Sequence, residues 1–269
     1  MNYIYHYISR LLINKQIFCI TILFLIILNI PIHANANEPE IVSINNHAWL
    51  TRSDSGVRST AQSGQTLNPG DEIQTQPGNS CLIGLNAEST RLLYIEGGSA
   101  VRMGSPQDPT VLLKYGKVYA LLDPDSSDGK RFAVETPHAV ASSLGTQYSV
   151  ATQPLQTQVQ TFTGRVQFAP QQRSHKTKWH QSIIIDHAMQ SHYQEATPKP
   201  TAITPVTSED IEEYLKVIQS VPNASLWLKE WEREKHDKSD SRDSNTDDLY
   251  SEDTEAILVK LQDKDLILF

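Results

Sequence analysis

Four histidines lie close together in the second half of the chain, and histidine is a common metal ligand. They are His175, His180, His187 and His192, spaced by five or seven residues. On neighbouring strands this spacing could bring two imidazoles together, and zinc binds neutral imidazole nitrogen. The alternative is that all four are solvated histidines in a polar region. We treat them as candidate metal ligands, and we expect the protein to need neither a metal nor a cofactor.

The usual sequence signatures of enzymes are missing. The chain has no Gly-rich phosphate loop, no His-Glu-x-x-His, no Gly-x-Ser-x-Gly and no paired-cysteine motif. We therefore name no catalytic and no cofactor-binding residue, and we expect a protein that is not an enzyme. Cys81 lies in the apolar run 81–85, which is typical of a buried small side chain rather than a reactive thiol.

Aromatic residues provide two further candidates for binding. Trp49, Tyr94 and Trp179 could stack on sugar rings if their faces are exposed. Leu226, Trp227 and Trp231 could form an apolar stripe on a short helix, and this stripe is a candidate docking surface for a partner protein. The alternative for the stripe is packing inside the chain, against the β unit described next.

Glycine placement indicates where the organised part of the chain lies. All twelve glycines fall between Gly56 and Gly164, and many separate short runs rich in Val, Leu, Ile, Thr and Tyr. Because glycine permits tight turns, the pattern predicts short strands that reverse direction at these points. The predicted strands are 56–61, 71–75, 80–85, 90–95, 100–103, 111–114, 117–122, 131–135, 139–143, 147–151, 158–162 and 165–168.

The connections between these strands are too short to hold crossover helices. A parallel α/β sheet is therefore excluded, and the fold class is mainly β: a compact all-β unit that is a sandwich, a barrel or a short β-solenoid. Residues 179–186 and 188–193 predict one further hairpin or strand pair. With it, the β unit spans residues 37–196.

From Thr207 the sequence pattern becomes helical. Thr207 and Asp210 fit a capping box, and Ile211, Leu215 and Ile218 recur at helical spacing. A second short helix after Pro222 completes a predicted helical hairpin over 207–236, which follows a linker at 197–206. Residues 237–269 are acidic and polar with an apolar end, and we expect a largely disordered tail.

Five segments resemble, in order, the motifs of the FecR domain family. Segment 64–75 (GQTLNPGDEIQT) is similar to the family opening G-x-x-L-x-x-G-D-x-I-x-T, and 113–118 (LKYGKV) to L-x-x-G-x-V. Segment 132–140 (FAVETPHAV) is similar to F-x-V-x-T-P-x-A, 144–150 (LGTQYSV) to R-G-T-x-F-x-V, and 159–166 (VQTFTGRV) to V-x-x-x-x-G-x-V.

The residues that carry this resemblance are interpreted as turn and core positions. They are Gly64, Leu67, Gly70, Asp71, Ile73, Thr75, Gly116, Val118, Thr136, Pro137, Gly145, Thr146, Gly164 and Val166. Two positions depart from the family pattern. Leu144 stands where the family usually has Arg, and Thr163 where an acidic residue usually precedes the glycine, so a charge-dependent contact there does not transfer to this chain.

The resemblance implies a protein that relays or scaffolds by contact. FecR itself is an inner-membrane regulator, with a cytoplasmic segment that binds a sigma factor and a periplasmic part that senses an outer-membrane transporter. The sixteen residues before the first apolar run lack the Trp-rich character of that cytoplasmic segment. We therefore expect a stand-alone exported FecR-domain protein that binds an unknown envelope protein in signalling or scaffolding. The alternative is a binding module for cell-wall glycan or polysaccharide.

The first 36 residues resemble a secretory signal peptide. Arg10 and Lys15 precede an apolar stretch from Ile17 to Leu28, and the small residues of Ala34-Asn35-Ala36 suit a signal peptidase. We expect cleavage after Ala36 and a periplasmic or secreted protein with no remaining membrane span and no internal disulfide. An uncleaved inner-membrane anchor at 17–32 is the alternative.

The charge distribution argues against nucleic acid as a partner. The net charge is −8. Residues 37–208 hold 14 acidic and 13 basic residues, and residues 209–269 hold 17 acidic and 8 basic residues. Binding to phosphate groups depends on clustered Lys and Arg, and no such cluster is visible in the sequence. Nucleic acid and anionic membrane surfaces are therefore excluded as expected partners.

Overall fold

The structure, a computed structural model, describes residues 38–105, 108–125, 130–171, 182–194 and 200–239. Within these ranges the chain forms strands followed by two helices. The strands are β1 Glu40–Asn45, β2 Ala48–Thr51, β3 Arg58–Thr60, β4 Glu72–Thr75, β5 Ser80–Gly84, β6 Arg91–Ile95, β7 Ala100–Ser105, β8 Asp108–Leu122, β9 Phe132–Glu135, β10 Ala139–Ser143, β11 Gln147–Gln153, β12 Gln156–Thr163, β13 Val166–Pro170, β14 Ile183–Ile185, β15 Met189–Gln194 and β16 Thr204–Pro205. The helices are α1 Ser208–Ser220 and α2 Ala224–Ser239.

The strands form two sheets that share strand β8. Sheet A has the order β1-β5-β6-β8-β11-β12-β15-β16, and all of its pairs are antiparallel. Sheet B has the order β3-β2-β4-β7-β8-β9-β10-β13-β14. The first half of β8 pairs in sheet B and the second half in sheet A. Neither sheet closes on itself, so among the described strands the fold is not a barrel.

One buried core lies between the two sheets. Alternate residues of β6 show the arrangement: Leu93 and Ile95 belong to a core that also contains Leu50 and Val134 of sheet B, whereas Leu92 belongs to a second cluster. That second cluster lies on the outer face of sheet A and includes residues of α1 and α2. The described chain therefore has three layers, which are sheet B, sheet A and the helical pair. The prediction of a mainly β fold with a short helical segment is confirmed, and the two-sheet core makes it a sandwich.

Burial on both faces explains the composition of the central strands of sheet A. All five residues of β5, Ser80–Gly84, are buried. A strand covered on both sides has no solvent face that requires alternating polar residues, so an almost continuous apolar run is favoured. The apolar run 81–85 is therefore explained by the two layers that cover sheet A, one on each face.

Strand β8 corrects the prediction of separate strands at 111–114 and 117–122. They form one strand, which passes from sheet B to sheet A at Gly116. Gly116 has φ +92°, a conformation that favours glycine, and a Cβ added there would lie 2.3 Å from Ser99 Oγ. The glycine was interpreted as a turn, but it bends a continuous strand instead.

The same strand accounts for a parallel pair within an otherwise antiparallel architecture. Residues Thr110 to Leu112 of β8 pair in parallel with Ala133 to Glu135 of β9. The second half of β8 lies between these segments in sequence and belongs to sheet A. The crossover that a parallel pair requires is thus provided by a strand of the other sheet rather than by a helix.

The structure differs from the expected elements in three further places. Strands β1 and β2 lie before residue 56, where no glycine marks a turn and no strand was predicted. Strands β14 and β15 do not form a hairpin, because β14 pairs with β13 in sheet B and β15 with β12 in sheet A. The expected linker contains β16, which pairs with β15. The predicted tail begins at residue 237, but α2 continues to Ser239, and residues 240–269 lie outside the described residues. Over the described part of the chain, neither helix is long and apolar enough to cross a membrane.

Candidate interaction site

Helix α1 begins with the capping box that the sequence predicts. The Thr207 hydroxyl accepts a hydrogen bond from the Asp210 backbone N–H at 3.2 Å, and the Asp210 carboxylate accepts one from the Thr207 backbone N–H at 3.2 Å. The helix ends at Ser220, two residues before Pro222. Its buried residues face sheet A and are Ile211, Tyr214, Leu215, Val217 and Ile218. The helical prediction is confirmed at this element.

Helix α2 places its apolar stripe against the rest of the chain. Trp227 and Trp231 are each 1% exposed and belong to the cluster on the outer face of sheet A, whereas Leu226 is 39% exposed. The Trp227 indole N–H donates to the Pro222 carbonyl at 3.3 Å. In this structure the two tryptophans thus pack inside the chain. They would become a docking surface only if α2 left the sheet.

Aromatic rings connect the helical pair to sheet A. The Phe162 ring of β12 stacks on Tyr214 of α1, with centroids 4.1 Å apart and planes 7° from parallel. On its other side it faces Tyr119 of β8 at 6.2 Å. Tyr119 in turn contacts Tyr94 of β6 edge to face at 6.1 Å. Such pairs add to the burial of apolar area, and this row of rings is part of the buried cluster between the two layers.

Gln147 on β11 forms hydrogen bonds with both helices. It is 1% exposed, its side-chain N–H donates to the Trp227 carbonyl of α2 at 3.1 Å, and its side-chain oxygen accepts from the Tyr214 hydroxyl of α1. A buried amide must find partners for its donor and its acceptor, and here each helix provides one. Gln147 therefore fixes the position of the helical pair on the sheet.

A charged group lies where α1 crosses β8. The Lys117 ammonium of β8 bonds Glu213 of α1 at 2.8 Å. Glu96, in the turn after β6, donates its backbone N–H to the Lys117 carbonyl at 3.1 Å. Burial, followed by the Glu213 charge, raises the pKa of Glu96 above its ordinary value, although Lys117 acts in the opposite direction. Burial and the charges of Glu213 and Glu96 also raise the pKa of Tyr119. The Lys117–Glu213 ion pair therefore joins α1 to β8.

A second polar site is built around Asp71, at the start of β4. Its carboxylate accepts hydrogen bonds from the backbone N–H of Ser53 at 2.8 Å and of Asn68 at 2.9 Å, and from the Arg52 guanidinium at 2.7 Å. Burial raises the pKa of Asp71, but these hydrogen bonds and the Arg52 charge outweigh burial and hold it below its ordinary value. The group organises a turn in which Gly70 has φ +85°. The hydrogen bonds of Asp71 join this turn to residues 52 and 53.

We expect Asp71→Asn to lower the free energy of unfolding at pH 7 by about 2–4 kcal/mol, because the substitution weakens charge-assisted hydrogen bonds at a buried site. Since the native pKa is lowered, the stabilisation is present above the ordinary value of 3.8 and is lost as the pH falls through the native value. Urea unfolding at pH 7 and under acidic conditions measures both effects. Asp54→Asn, at an exposed neighbouring position, should change stability by less than about 0.5 kcal/mol. Equal effects of the two substitutions would contradict the assignment.

The other motif residues lie in the core or in turns. Leu67, Ile73, Val118 and Val166 are at most 2% exposed. The hydroxyls of three buried threonines bind nearby backbone carbonyls: Thr75 binds Glu96, Thr136 binds Ala139 and Thr146 binds Arg165, at 2.6, 3.0 and 3.1 Å. Gly64, Gly145, Gly164 and Pro137 lie between strands. The motif set therefore stabilises reversals of the chain and does not converge on a cleft.

A family model described as FecR protein matches residues 71–167, from the Asp71 turn into β13. The chain carries a FecR domain. The domain supports a signalling-related role that works through contacts with other proteins. The family is regulatory rather than enzymatic, which agrees with the expectation of a protein that is not an enzyme.

Two crystal structures, at 1.65 and 2.50 Å resolution, are similar to part of the chain, and both are of a protein from Parabacteroides distasonis provisionally assigned as an anti-sigma factor. Each is 16% identical, with a TM-score of 0.42, over 54% of this chain. The similarity spans 64% and 63% of those chains, which is less than two thirds. This likeness is too low to support an argument about function. No curated protein matches the chain.

The two departures from the FecR pattern have different surroundings. Leu144, in place of the usual Arg, is 57% exposed in the turn between β10 and β11. Thr163, in place of an acidic residue, is buried, and its hydroxyl accepts a hydrogen bond from the Gln147 backbone N–H at 3.0 Å. Thr163 therefore forms a buried hydrogen bond with the backbone at Gln147 and does not take part in a surface charge pair.

Two of the four candidate histidines lie in the described part of the chain. His187 lies buried in the turn before β15, and His192 on β15 is 3.1 Å from the Thr201 hydroxyl through Nδ1. His175 and His180 lie outside the described residues. Within the described ranges no group of three or more His, Cys, Asp or Glu residues could hold a metal ion. Cys81 is 1% exposed, and burial raises the pKa of its thiol to about 12.

The aromatic candidates for sugar stacking do not form one surface. Trp49 lies on the outer face of sheet B, where the Arg58 guanidinium covers its ring at 4.7 Å and His47 contacts it edge to face at 4.5 Å. Tyr94 lies on the other sheet and packs against the cluster under the helices. Trp179 is outside the described residues. The described aromatics thus provide no shared platform for a glycan.

Residues that sequence reasoning missed connect the helices to the sheet. Gln147, Lys117 and Glu213 were not among the candidates, yet they supply polar contacts between the layers. Tyr214 could have been found, because it lies on the same helical face as Ile211, Leu215 and Ile218. Gln147, Lys117 and Glu213 carry no local signal, since each partner is distant in sequence.

Proposed function

We propose that the protein is exported and acts in the bacterial cell envelope, where it binds another envelope protein in signalling or scaffolding. The FecR domain match is the observation that carries the proposal, because it supports a regulatory role through protein contacts. The signal-peptide pattern of the first 36 residues supports export. Periplasmic or secreted localisation follows from cleavage after Ala36, and an inner-membrane anchor is the alternative.

The outer face of sheet B supports a contact function better than the outer face of sheet A. The helical pair covers sheet A, whereas sheet B displays Trp49, Arg58 and Arg102 on its outer side. Tryptophan and arginine are enriched in the residues that dominate binding energy at protein interfaces. Glu72 lies between Arg102, at 3.6 Å, and Lys114, so the face is polar and mixed in charge. Such a surface suits a non-obligate protein partner.

Site-specific photo-crosslinking in cells tests this proposal. A photoreactive phenylalanine analogue at Thr60 or Arg102, both exposed on sheet B, should give a covalent adduct with one distinct protein. The same probe at Gln219, exposed on α1, is the matched control and should not give that adduct. Absence of adducts from sheet B, or equal adducts from all three positions, would overturn the proposed surface. Co-sedimentation with purified cell wall in the absence of other proteins would favour the glycan alternative.

Export has its own test. Mass spectrometry of the protein purified from its native host should show a mature chain that begins at Asn37, and cell fractionation should recover it outside the cytoplasm. The expected result follows from the small residues at Ala34 and Ala36. Detection of Met1 in the purified protein would show that the leader is retained and would support the anchor alternative.

A further inference from the structure

Strand β3 forms one edge of sheet B. In the described part of the chain it pairs with β2 alone. All three of its residues, Arg58–Thr60, are exposed, and Val57 just before it is 59% exposed. An edge strand carries one row of N–H and C=O groups that its own sheet does not use, and such a row is a template for pairing with another chain.

The register of β3 shows which of its backbone groups face outward. In an antiparallel pair, residues that exchange hydrogen bonds with the neighbouring strand alternate with residues that do not. The Ala61 N–H donates to the Ala48 carbonyl of β2 at 2.9 Å, and Ser59, two residues earlier, has the same phase. The N–H and C=O groups of Arg58 and Thr60 therefore point away from β2, at the open edge. An extended chain laid beside β3 could bond all four groups.

The other edges of the two sheets are less open. The free side of β1 is bonded by the loop at residues 64–67, where the Gly64 N–H donates to the Ile41 carbonyl at 2.8 Å and the Ile41 N–H donates to the Gln65 carbonyl at 3.0 Å. Strand β16 has two residues, and one of them is Pro205, which has no N–H. Strand β14 begins just after residues that the structure does not describe. Strand β3 is thus the described edge best suited to accept another strand.

The side chains at this edge favour an acidic partner segment. The Arg58 guanidinium lies 4.7 Å from the centre of the Trp49 ring and donates to the Gln74 side-chain oxygen at 2.9 Å, which holds the cation on the outer face. A guanidinium has five N–H donors, so donors remain for a carboxylate from outside. Glu72, further along the same face, is already paired with Lys114. An Asp or Glu side chain on an added strand would therefore complement Arg58.

We propose that the partner protein adds an extended segment to sheet B at β3, as an extra strand that carries a carboxylate beside Arg58. The inference rests on the proposed function, because it specifies how a protein partner binds at sheet B. Backbone bonds to Arg58 and Thr60 hold the added strand in place, and the cation selects an acidic sequence. In strand addition of this kind, main-chain bonds give affinity and side-chain contacts give specificity.

Substitutions at Thr60 test the added strand, with the photoreactive probe kept at Arg102. Thr60→Pro removes one outward N–H and leaves the bonds between β2 and β3, which do not use that group. The yield of the partner adduct should fall roughly 3- to 10-fold, as expected for the loss of one backbone hydrogen bond. Thr60→Val also lacks the hydroxyl but keeps the N–H, so it is the matched control and should give the wild-type yield. Equal yields from the two variants would overturn the added strand and leave the proposed surface intact.

Charge variants of Arg58 test the acidic character of the added strand. Arg58→Glu should lower the adduct yield, because it places a like charge beside the partner carboxylate. Arg58→Lys keeps the positive charge and should retain most of the yield. If Arg58→Glu gave as much adduct as Arg58→Lys, the partner segment would not be acidic at this position and the proposal would be wrong.

Hydrogen exchange provides a test that needs no substitution in β3. In the adduct formed from the Arg102 probe, the amides of Arg58 and Thr60 should exchange at least roughly tenfold more slowly than in the free protein, because their outward N–H groups become bonded. Unchanged exchange at these amides would overturn the proposal. An adduct with the mass of two copies of this chain would do the same, since the occupant would then be a second copy. Absence of any adduct from the Arg102 probe would contradict the proposed function itself, and the added strand with it.

Discussion

Replacing Gly116 with alanine is expected to lower the free energy of unfolding by about 3–5 kcal/mol. The residue has φ +92°, which costs an alanine about 1–2 kcal/mol, and its new Cβ would lie 2.3 Å from Ser99 Oγ and 2.6 Å from Ser99 Cα. Ser99 cannot move away without losing the hydrogen bonds that its hydroxyl makes with the N–H and the carbonyl of Lys117, at 3.0 and 3.1 Å. Urea-induced unfolding followed by circular dichroism measures the change.

Gly78→Ala is the matched control for this prediction. Gly78 also has a left-handed φ of +78°, but a Cβ there would meet no atom within 4 Å. The control isolates the backbone cost, so its effect should stay near about 1–2 kcal/mol. The difference between the two variants measures the close approach of β8 to Ser99. If Gly116→Ala were no more destabilising than Gly78→Ala, the bend of β8 at this residue would not be tightly packed.

The contrast between Gly116 and Gly70 shows why the local sequence predicts where strands lie better than it predicts where they end. Both residues have positive φ, and both were interpreted as turns. Gly70 lies in the turn just before β4, whereas Gly116 lies inside β8, a strand of 15 residues. A glycine indicates an unusual backbone conformation, but whether the chain reverses or only bends depends on the strands that pair with it. Here β7 pairs before the bend and β6 after it.

Pairing between distant strands also limited the prediction at β14 and β15. The two segments follow each other closely in sequence, which favours a hairpin. In the structure each pairs with an earlier strand in a different sheet, β13 and β12. The strands themselves were recognisable from their composition, whereas their partners were not. Helix α1 was the opposite case, because its capping box and its apolar spacing are both encoded within 12 residues, from Thr207 to Ile218.

The candidate site was predictable in its apolar part only. The sequence indicated a stripe containing Trp227 and Trp231 and left open whether it packs inside the chain or binds a partner. The structure places both side chains against sheet A. Gln147 is a polar residue between motif positions, and only the positions of Tyr214 and the Trp227 carbonyl make its role visible. Polar contacts of this kind join residues that are far apart in sequence, so no local pattern identifies them.

We expect Phe162→Ala to cost about 3–5 kcal/mol, most of it in the docking of the helical pair rather than in the sandwich. Phe162 is 1% exposed and lies between Tyr214 of α1 and Tyr119 of β8. Truncation removes the stacked contact at 4.1 Å and leaves a cavity that rings on two different elements cannot easily fill. Hydrogen exchange should therefore show a large loss of protection in α1 and a smaller loss in β9 and β10.

Phe168→Ala is the matched control, because Phe168 on β13 is equally buried but belongs to the core between the sheets. Its cost should be similar, about 3–5 kcal/mol, but the loss of protection should extend over both sheets. The two variants thus separate the layers. Phe162→Ala loosens the helical pair, and Phe168→Ala loosens the sandwich beneath it. If Phe162→Ala reduced protection in β9 as much as in α1, the helices and the sandwich would unfold as one unit. The outer face of sheet A could then be exposed only by global unfolding.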